Sequence, residues 1–224
     1  MSYVDTIHKF YHRYENLRAL DYNKVNDTSR VLHSDLDNDT NKFQIHNFGC
    51  SFTYGYGVDK EESFPYLLHD NEYSSFNHGI RGIGMDMICQ KVSMIYNEYK
   101  LRNNKDFLFI ITLPHIFRRV IWAGSTLFFA KPYEVAATGI SDEEQYLYFY
   151  HQYMMLNNLI GREHILWSTW GKHKDMDSEV PASLVDTQID CIDYAPDDNH
   201  PGVESHKEYA KRLKHLIKVR RRKL

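Results

Sequence analysis

One short run, Phe107-Leu108-Phe109-Ile110-Ile111-Thr112, constrains the fold of this chain more than any other feature. It is apolar without alternation, Asp106 leads into it and Pro114 ends it. Such a run reads as a strand covered on both faces, the mark of a central strand in a parallel sheet. Helical patterns flank it. Before it, Met87, Ile88, Lys91, Val92, Ile95 and Tyr99 recur at helical spacing over 84–99. After it, Ser141-Asp142-Glu143-Glu144 has the serine-to-glutamate spacing of a capping box and opens a helix to about Leu159. Phe43–Phe48 reads as a first strand, Tyr73–Asn77 as a short second, His164–Trp170 as a further one, and 183–193 holds a last short one. Ser63 reads as a helix N-cap with Pro65 in the first turn. Val203–Val219, with Tyr209, Leu213, Leu216 and Ile217 on one stripe, is the closing helix. The alternation predicts a three-layer α/β/α domain with a mainly parallel, flavodoxin-like sheet, in which Phe43–Phe48 and Phe107–Thr112 are adjacent central strands.

The 224 residues fit a single domain, 1–224. Within it, about 114–140 is an aromatic, glycine-containing insertion without clean periodicity, and 218–224 is a basic tail. Residues 1–41 are polar and weakly periodic, and 35–41 reads as a surface loop. That loop lacks the glycine at the sixth place and the glutamate at the twelfth that an EF-hand needs. A formal net charge of -3 gives no global drive toward nucleic acid or an anionic membrane, so neither is an expected partner. The tail reads as a solvated helix end whose cations suit the helix dipole. Cys50, Cys89 and Cys191 have no paired spacing, which points to a reducing environment. The first twenty residues carry charges throughout and no continuous apolar region. A signal peptide or membrane span is therefore not expected, and a cytoplasmic or otherwise non-secreted protein is.

Two stretches carry chemistry. Phe48-Gly49-Cys50-Ser51-Phe52-Thr53-Tyr54-Gly55 puts a serine in a tight, glycine-flanked turn straight after the first strand. Asp197-Asp198-Asn199-His200-Pro201 puts a carboxylate three residues before a histidine. Together they supply a hydroxyl nucleophile, an imidazole to take its proton and an acid to orient the imidazole: Ser51, His200 and Asp197. Asp198 is the alternative orienting acid. The Ser51 backbone N–H, in a turn leading toward a helix, is a candidate oxyanion donor. Parallel sheets bind ligands at the carboxyl ends of their strands, and Ser51, Gly82 and Thr112 each follow a candidate strand.

These stretches resemble the SGNH, or GDSL-like, hydrolases, in the variant whose first block reads Gly-Cys-Ser. The resemblance runs from about Phe43 to Leu216. Gly49-Cys50-Ser51 matches block one, with Ser51 at the nucleophile position. Asn77-His78-Gly79-Ile80-Arg81-Gly82 matches block two, which implies a Gly82 backbone N–H in the oxyanion hole. Asp197-x-x-His200 matches block five. Block three departs: the family's Gly-x-Asn-Asp is replaced by Thr112-Leu113-Pro114-His115, with Arg118 and Arg119 just beyond. Thr112, by its hydroxyl, and Arg118, by its guanidinium, are the candidates for the missing donor. The resemblance implies a carboxylic ester hydrolase working through an acyl-enzyme, an esterase or acetylesterase on a small-molecule or O-acylated carbohydrate ester, with no cofactor and no metal. Trp122, Phe128, Phe129 and Tyr133 of the insertion would suit a sugar face or an acyl chain.

Competing readings stay open. Cys50 is a second nucleophile beside Ser51, although nothing next to it in sequence would activate a thiol. His46, His78 and His115 also fall near strand ends and offer nitrogen ligands for a metal. A flavodoxin-like nucleotide binder lacks its phosphate loop, because Gly79-x-x-Gly82-x-Gly84 has the wrong spacing. A catalytically silent domain of the same fold, binding glycan or protein, is the reading that the block-three departure favours.

Overall fold

The computed structural model describes residues 42–101, 106–115, 118–123, 126–130, 140–171 and 181–224. The loop expected at 35–41 and Tyr133 lie outside the described residues, as do the side chains of Trp122, Phe128 and Phe129.

The sheet is built from β1 (Phe43–Phe48), β2 (Tyr73–Asn77), β3 (Phe107–Thr112), β6 (Ile165–Trp170) and β7 (Thr187–Ile189) in the order β2-β1-β3-β6-β7. Every pairing in it is parallel. β1 and β3 are therefore adjacent and central, in the register Gln44 to Phe107 through Phe48 to Ile111. Both strands are buried on both faces; β3 is accordingly apolar without alternation, while β1 buries the polar Gln44, His46 and Asn47 among its apolar residues.

Two helical layers cover the sheet. α3 (Met85–Leu101) and α4 (Asp142–Ile160) lie on one face, where Tyr96 meets Phe107 and Tyr153 meets Trp167. The short α2 (Phe64–Leu67) and the long α5 (Val203–Arg221) lie on the other, where Phe64, Trp170 and Tyr209 form one aromatic cluster. The result is a three-layer α/β/α fold. α4 starts as expected: the Ser141 hydroxyl accepts from Glu144 N–H, and the Glu144 carboxylate accepts from Ser141 N–H. Asp186 anchors the far end. Its carboxylate accepts from Arg162, Arg220 and the Trp167 N–H, tying β6, the loop before β7 and α5 together.

Two details were not visible in the sequence. The segment without clean periodicity contains an antiparallel hairpin, β4 (Arg119–Ala123) with β5 (Thr126–Ala130). Ser63 holds the N-cap position of α2 with Pro65 in the first turn, as expected, but its hydroxyl donates back to Lys60 C=O at 2.6 Å and makes no capping bond to the helix. A tight turn through Lys60–Glu62 lies just upstream and offers the serine a nearer acceptor.

Candidate active site

Three loops meet at the carboxyl end of the sheet. The first follows β1. Cys50 is extended, and α1 (Ser51–Tyr54) begins at once, so Ser51 is its first residue. The turn closes after one helical turn because Gly55 adopts a left-handed conformation, φ 75°. Gly55 N–H then bonds Phe52 C=O, and Tyr56 N–H bonds Ser51 C=O at 3.0 Å, the two bonds of a Schellman ending. Gly49 has to be glycine, since a Cβ there would come within 2.9 Å of Thr112 C=O and closer still to the Thr53 hydroxyl.

The second loop follows β2. His78 N–H bonds Asn47 C=O and Ile80 N–H bonds Gly49 C=O, so this loop runs beside the serine turn. A Cβ on Gly79 would lie 2.8 Å from the Thr53 carbonyl carbon, a close approach only glycine permits. Gly82 follows in a turn with φ 74°, and the Arg81 guanidinium lies 3.6 Å over the Tyr56 ring.

The third loop carries Asp197 and His200. Asp197 Oδ1 accepts from the N–H groups of Asn199 and His200, both at 3.1 Å. Its Oδ2 lies 2.5 Å from His200 Nδ1, and His200 Nε2 lies 3.0 Å from Ser51 Oγ. The structure thus brings Ser51, His200 and Asp197 into one hydrogen-bonded chain. With the Nδ1 proton held by Asp197, Nε2 presents its lone pair to the serine hydroxyl. Asp198, in the left-handed region at φ 58°, does not take the imidazole's Nδ1; Asp197 does. Burial, the largest influence on Asp197, raises its pKa. The Asn199 N–H and the ring and N–H of His200 outweigh that and hold the carboxyl below its ordinary value. Phe52 and Tyr56 flank the imidazole edge-on, at 5.4 and 4.8 Å between ring centres.

Sequence reasoning missed what holds this third loop. Asp193 reaches over the start of α5: its Oδ1 accepts from Ser205 N–H at 2.6 Å and its Oδ2 from Glu204 N–H at 3.1 Å. The Ser205 hydroxyl returns the contact, accepting from Ile192 and Asp193 N–H at 2.9 and 3.0 Å and donating to Asp193 C=O. Asp193 C=O also accepts from Gly202 N–H, and Ala195 N–H bonds His200 C=O at 2.8 Å. The Asp197–His200 loop is closed at its base by these bonds. The Asp193 partners lie eleven and twelve residues away, beyond any local motif. The one available signal was a helix starting at Val203 with a glycine before it, which leaves its first N–H groups in need of an acceptor.

The other candidate residues lie as follows. The Thr112 hydroxyl faces the α5 layer, 3.1 Å from Ser168 Oγ, and both residues are fully buried. The Tyr209 hydroxyl sits against the same pair, and burial pushes its pKa up. Engaged there, the Thr112 hydroxyl does not stand where an oxyanion donor was expected. Arg118 crosses by the start of α3: its N–H bonds His115 C=O, and its own carbonyl lies against Gly84. Burial first, and then the Arg118 charge, lower the His115 pKa. Cys50 is buried at 5% exposure. His46 Nδ1 and His78 Nε2 face each other at 2.8 Å inside the sheet's α3 side, and burial lowers the His46 pKa to about 3. Among the described residues no group of three His, Cys, Asp or Glu side chains is arranged to hold a metal, and no helix is long and apolar enough to cross a membrane.

No family model and no curated protein matches the sequence. Solved structures do. A lipolytic protein of the G-D-S-L family from Veillonella parvula DSM 2008 superimposes with a TM-score of 0.50 at 13% identity, over 78% of this chain and 98% of that one. The psychrotrophic esterase EstA from Pseudoalteromonas sp. gives 0.47 at 10% identity, over 79% and 97%, and the SGNH-hydrolase family esterase AlinE4 gives 0.35 at 18%, over 80% and 72%. The first likeness shows the fold, and the other two are too distant to add to it. The chain has the three-layer fold of the GDSL, or SGNH, lipolytic proteins.

Proposed function

We propose that this protein is a serine-dependent carboxylic ester hydrolase of the SGNH type. The single observation that carries the reading is the continuous contact from Asp197 through His200 to Ser51, with 3.0 Å between Nε2 and Oγ. A serine hydroxyl is a weak nucleophile until a base takes its proton. In the proposed reaction His200 Nε2 accepts that proton as Ser51 Oγ attacks the ester carbonyl. The tetrahedral intermediate expels the alcohol, to which His200 returns the proton. Water then enters by the same route, with His200 again as base, and releases the acid from Ser51. Asp197 orients the imidazole and stabilises its charged form. The backbone N–H of Ser51, one of the four a helix start leaves without an acceptor, and that of Gly82 are the proposed oxyanion donors. Neither step calls on a metal or a cofactor.

The substrate class we take first is a short-chain acyl ester, with O-acylated carbohydrate as its natural form, on the strength of the aromatic insertion. One observation favours a second reading, a silent domain that binds glycan or protein. Block three lacks its Asn, and the Thr112 hydroxyl, one of the two candidates for its role, is engaged with Ser168. Hydrolysis of acetyl and butyryl esters by the wild type and by Ser51→Ala separates the two. The esterase reading expects turnover that Ser51→Ala abolishes. Turnover that survives Ser51→Ala but not Cys50→Ser would move the nucleophile to the thiol, and no turnover on any acyl ester would favour the silent domain.

A further inference from the structure

Asp197 fixes one atom of the His200 ring, Nδ1, and leaves its plane to be set by something else. The torsion that turns an imidazole about its Cβ–Cγ bond is broad, so a hydrogen bond at one nitrogen does not by itself aim the other. Two aromatic rings border the imidazole. Phe52 meets it at 5.4 Å and 79°, and Tyr56 at 4.8 Å and 66°. Phe52 lies within α1 and is held by its own burial. Tyr56 lies past the end of that helix and is only half-buried. Its backbone is secure. Its N–H bonds Ser51 C=O, and Gly57 after it, at φ 90°, comes so near the third loop that a Cβ there would lie 2.6 Å from Ala195 Cβ. Its ring needs a separate hold.

Arg81 supplies one. Its guanidinium carbon lies 3.6 Å over the centre of the Tyr56 ring, well inside the range of a cation–π contact. Arginine suits the task because its planar, pre-organised head stacks on aromatic faces. Arg81 belongs to the second loop, one residue before Gly82. Tyr56 is thus the place where all three loops meet: its backbone is tied to Ser51, its ring borders His200, and the cation of the second loop lies on that ring.

We propose that Arg81 and Tyr56 are a positioning pair for the base. Arg81 holds the Tyr56 ring, and the ring holds the imidazole in the plane that aims Nε2 at Ser51 Oγ. Both act through His200 and not on the substrate. The proposal rests on the esterase reading, in which His200 is the base, and adds that the second loop governs the base as well as the Gly82 donor.

Steady-state hydrolysis of an acetyl ester, together with the rate at which a fluorophosphonate labels Ser51, tests it in the wild type, Arg81→Met, Tyr56→Leu, Tyr56→Phe and the Arg81→Met/Tyr56→Leu double variant. Tyr56→Leu should lower kcat and the labelling rate by roughly tenfold, with KM nearly unchanged, because a loosened base is misaligned. Arg81→Met should lower both by roughly two- to fivefold, the worth of a cation–π contact near the surface. The double variant should lose no more than Tyr56→Leu alone, since Arg81 acts only through the ring. Tyr56→Phe keeps the ring and should retain most of the wild-type rate. An Arg81→Met loss that persists undiminished in the Tyr56→Leu background overturns the proposal. So does a raised KM at unchanged kcat, which would make Arg81 a substrate contact, and so does a Tyr56→Phe loss as large as that of Tyr56→Leu. An active wild type whose variants match it removes the proposal alone; a wild type that neither hydrolyses the ester nor takes the label removes the esterase reading and the proposal with it.

Discussion

Replacing Asp193 by alanine removes the acceptor that holds the base of the Asp197–His200 loop to the start of α5. The carboxylate accepts two backbone N–H groups there, those of Glu204 and Ser205. Losing a side-chain cap of this kind costs about 1 kcal/mol, within a range of roughly 0.5–2. The acceptor here is charged, which puts the expected cost toward about 1–2 kcal/mol. In a chain of this length about 1 kcal/mol moves Tm by roughly 2–4 °C, so Asp193→Ala should melt about 2–8 °C lower. The loop also sets the imidazole 3.0 Å from Ser51, and a misplacement of about 1 Å there costs up to a hundredfold in rate. Ester hydrolysis should therefore fall by roughly ten- to a hundredfold, mainly in kcat. Ser205→Ala should act on the same clamp, and the double variant should lose less than the sum of the two singles. Differential scanning calorimetry and steady-state kinetics on the four proteins complete the cycle. Additive losses, or an Asp193→Ala protein with wild-type Tm and activity, would refute the clamp.

Acid should weaken the fold in two windows. His46 is held neutral by burial, its pKa lowered to about 3. The unfolded chain therefore takes up a proton that the native state refuses, and stability falls as pH drops below about 6.5; His46→Asn should flatten that slope in Tm against pH. Asp70, Asp193 and Asp197 all sit below their ordinary pKa, so their contribution is complete above about pH 4 and is lost as pH falls through their native values; Asp193→Ala should shrink the lower window only. Thr112→Val should leave kcat/KM within about threefold while lowering stability by about 1 kcal/mol, because its hydroxyl serves Ser168; a hundredfold loss of activity would return it to the oxyanion hole. Burial pushes the Cys89 thiol up and the Cys191 thiol up to about 12, so iodoacetamide at pH 8 should leave both unmodified in the native protein by mass spectrometry.

The central strand β3 was legible because burial on both faces leaves its mark on every residue. Phe107–Thr112 ends where its apolar run ends, and Phe43–Phe48 beside it and the edge strand Tyr73–Asn77 have the bounds read from the sequence. α4 was legible from its capping box, a signal contained within four residues. The hairpin was not. Arg119–Ala123 and Thr126–Ala130 are short apolar runs without alternation, so periodicity finds nothing in them. The usable signal in the sequence was the Gly124-Ser125 dipeptide, a pair that favours hairpin turns, between the two runs. The contact between Ser51 and the Asp197-x-x-His200 pair was legible from spacing at opposite ends of the chain. The clamp under it was not, because Asp193 acts through backbone N–H groups of another element. Thr112 looked available because sequence gives a strand's end but not the direction of its side chain, which register turns toward Ser168.

Labelling with a fluorophosphonate tests the central claim most directly, because that reagent modifies a serine only when a neighbouring base has activated it. The account predicts stoichiometric labelling of the wild type, with the adduct mapped by tandem mass spectrometry to Ser51, and none in Ser51→Ala or His200→Ala. A folded wild type that takes no label, or an adduct on any residue other than Ser51, would contradict it.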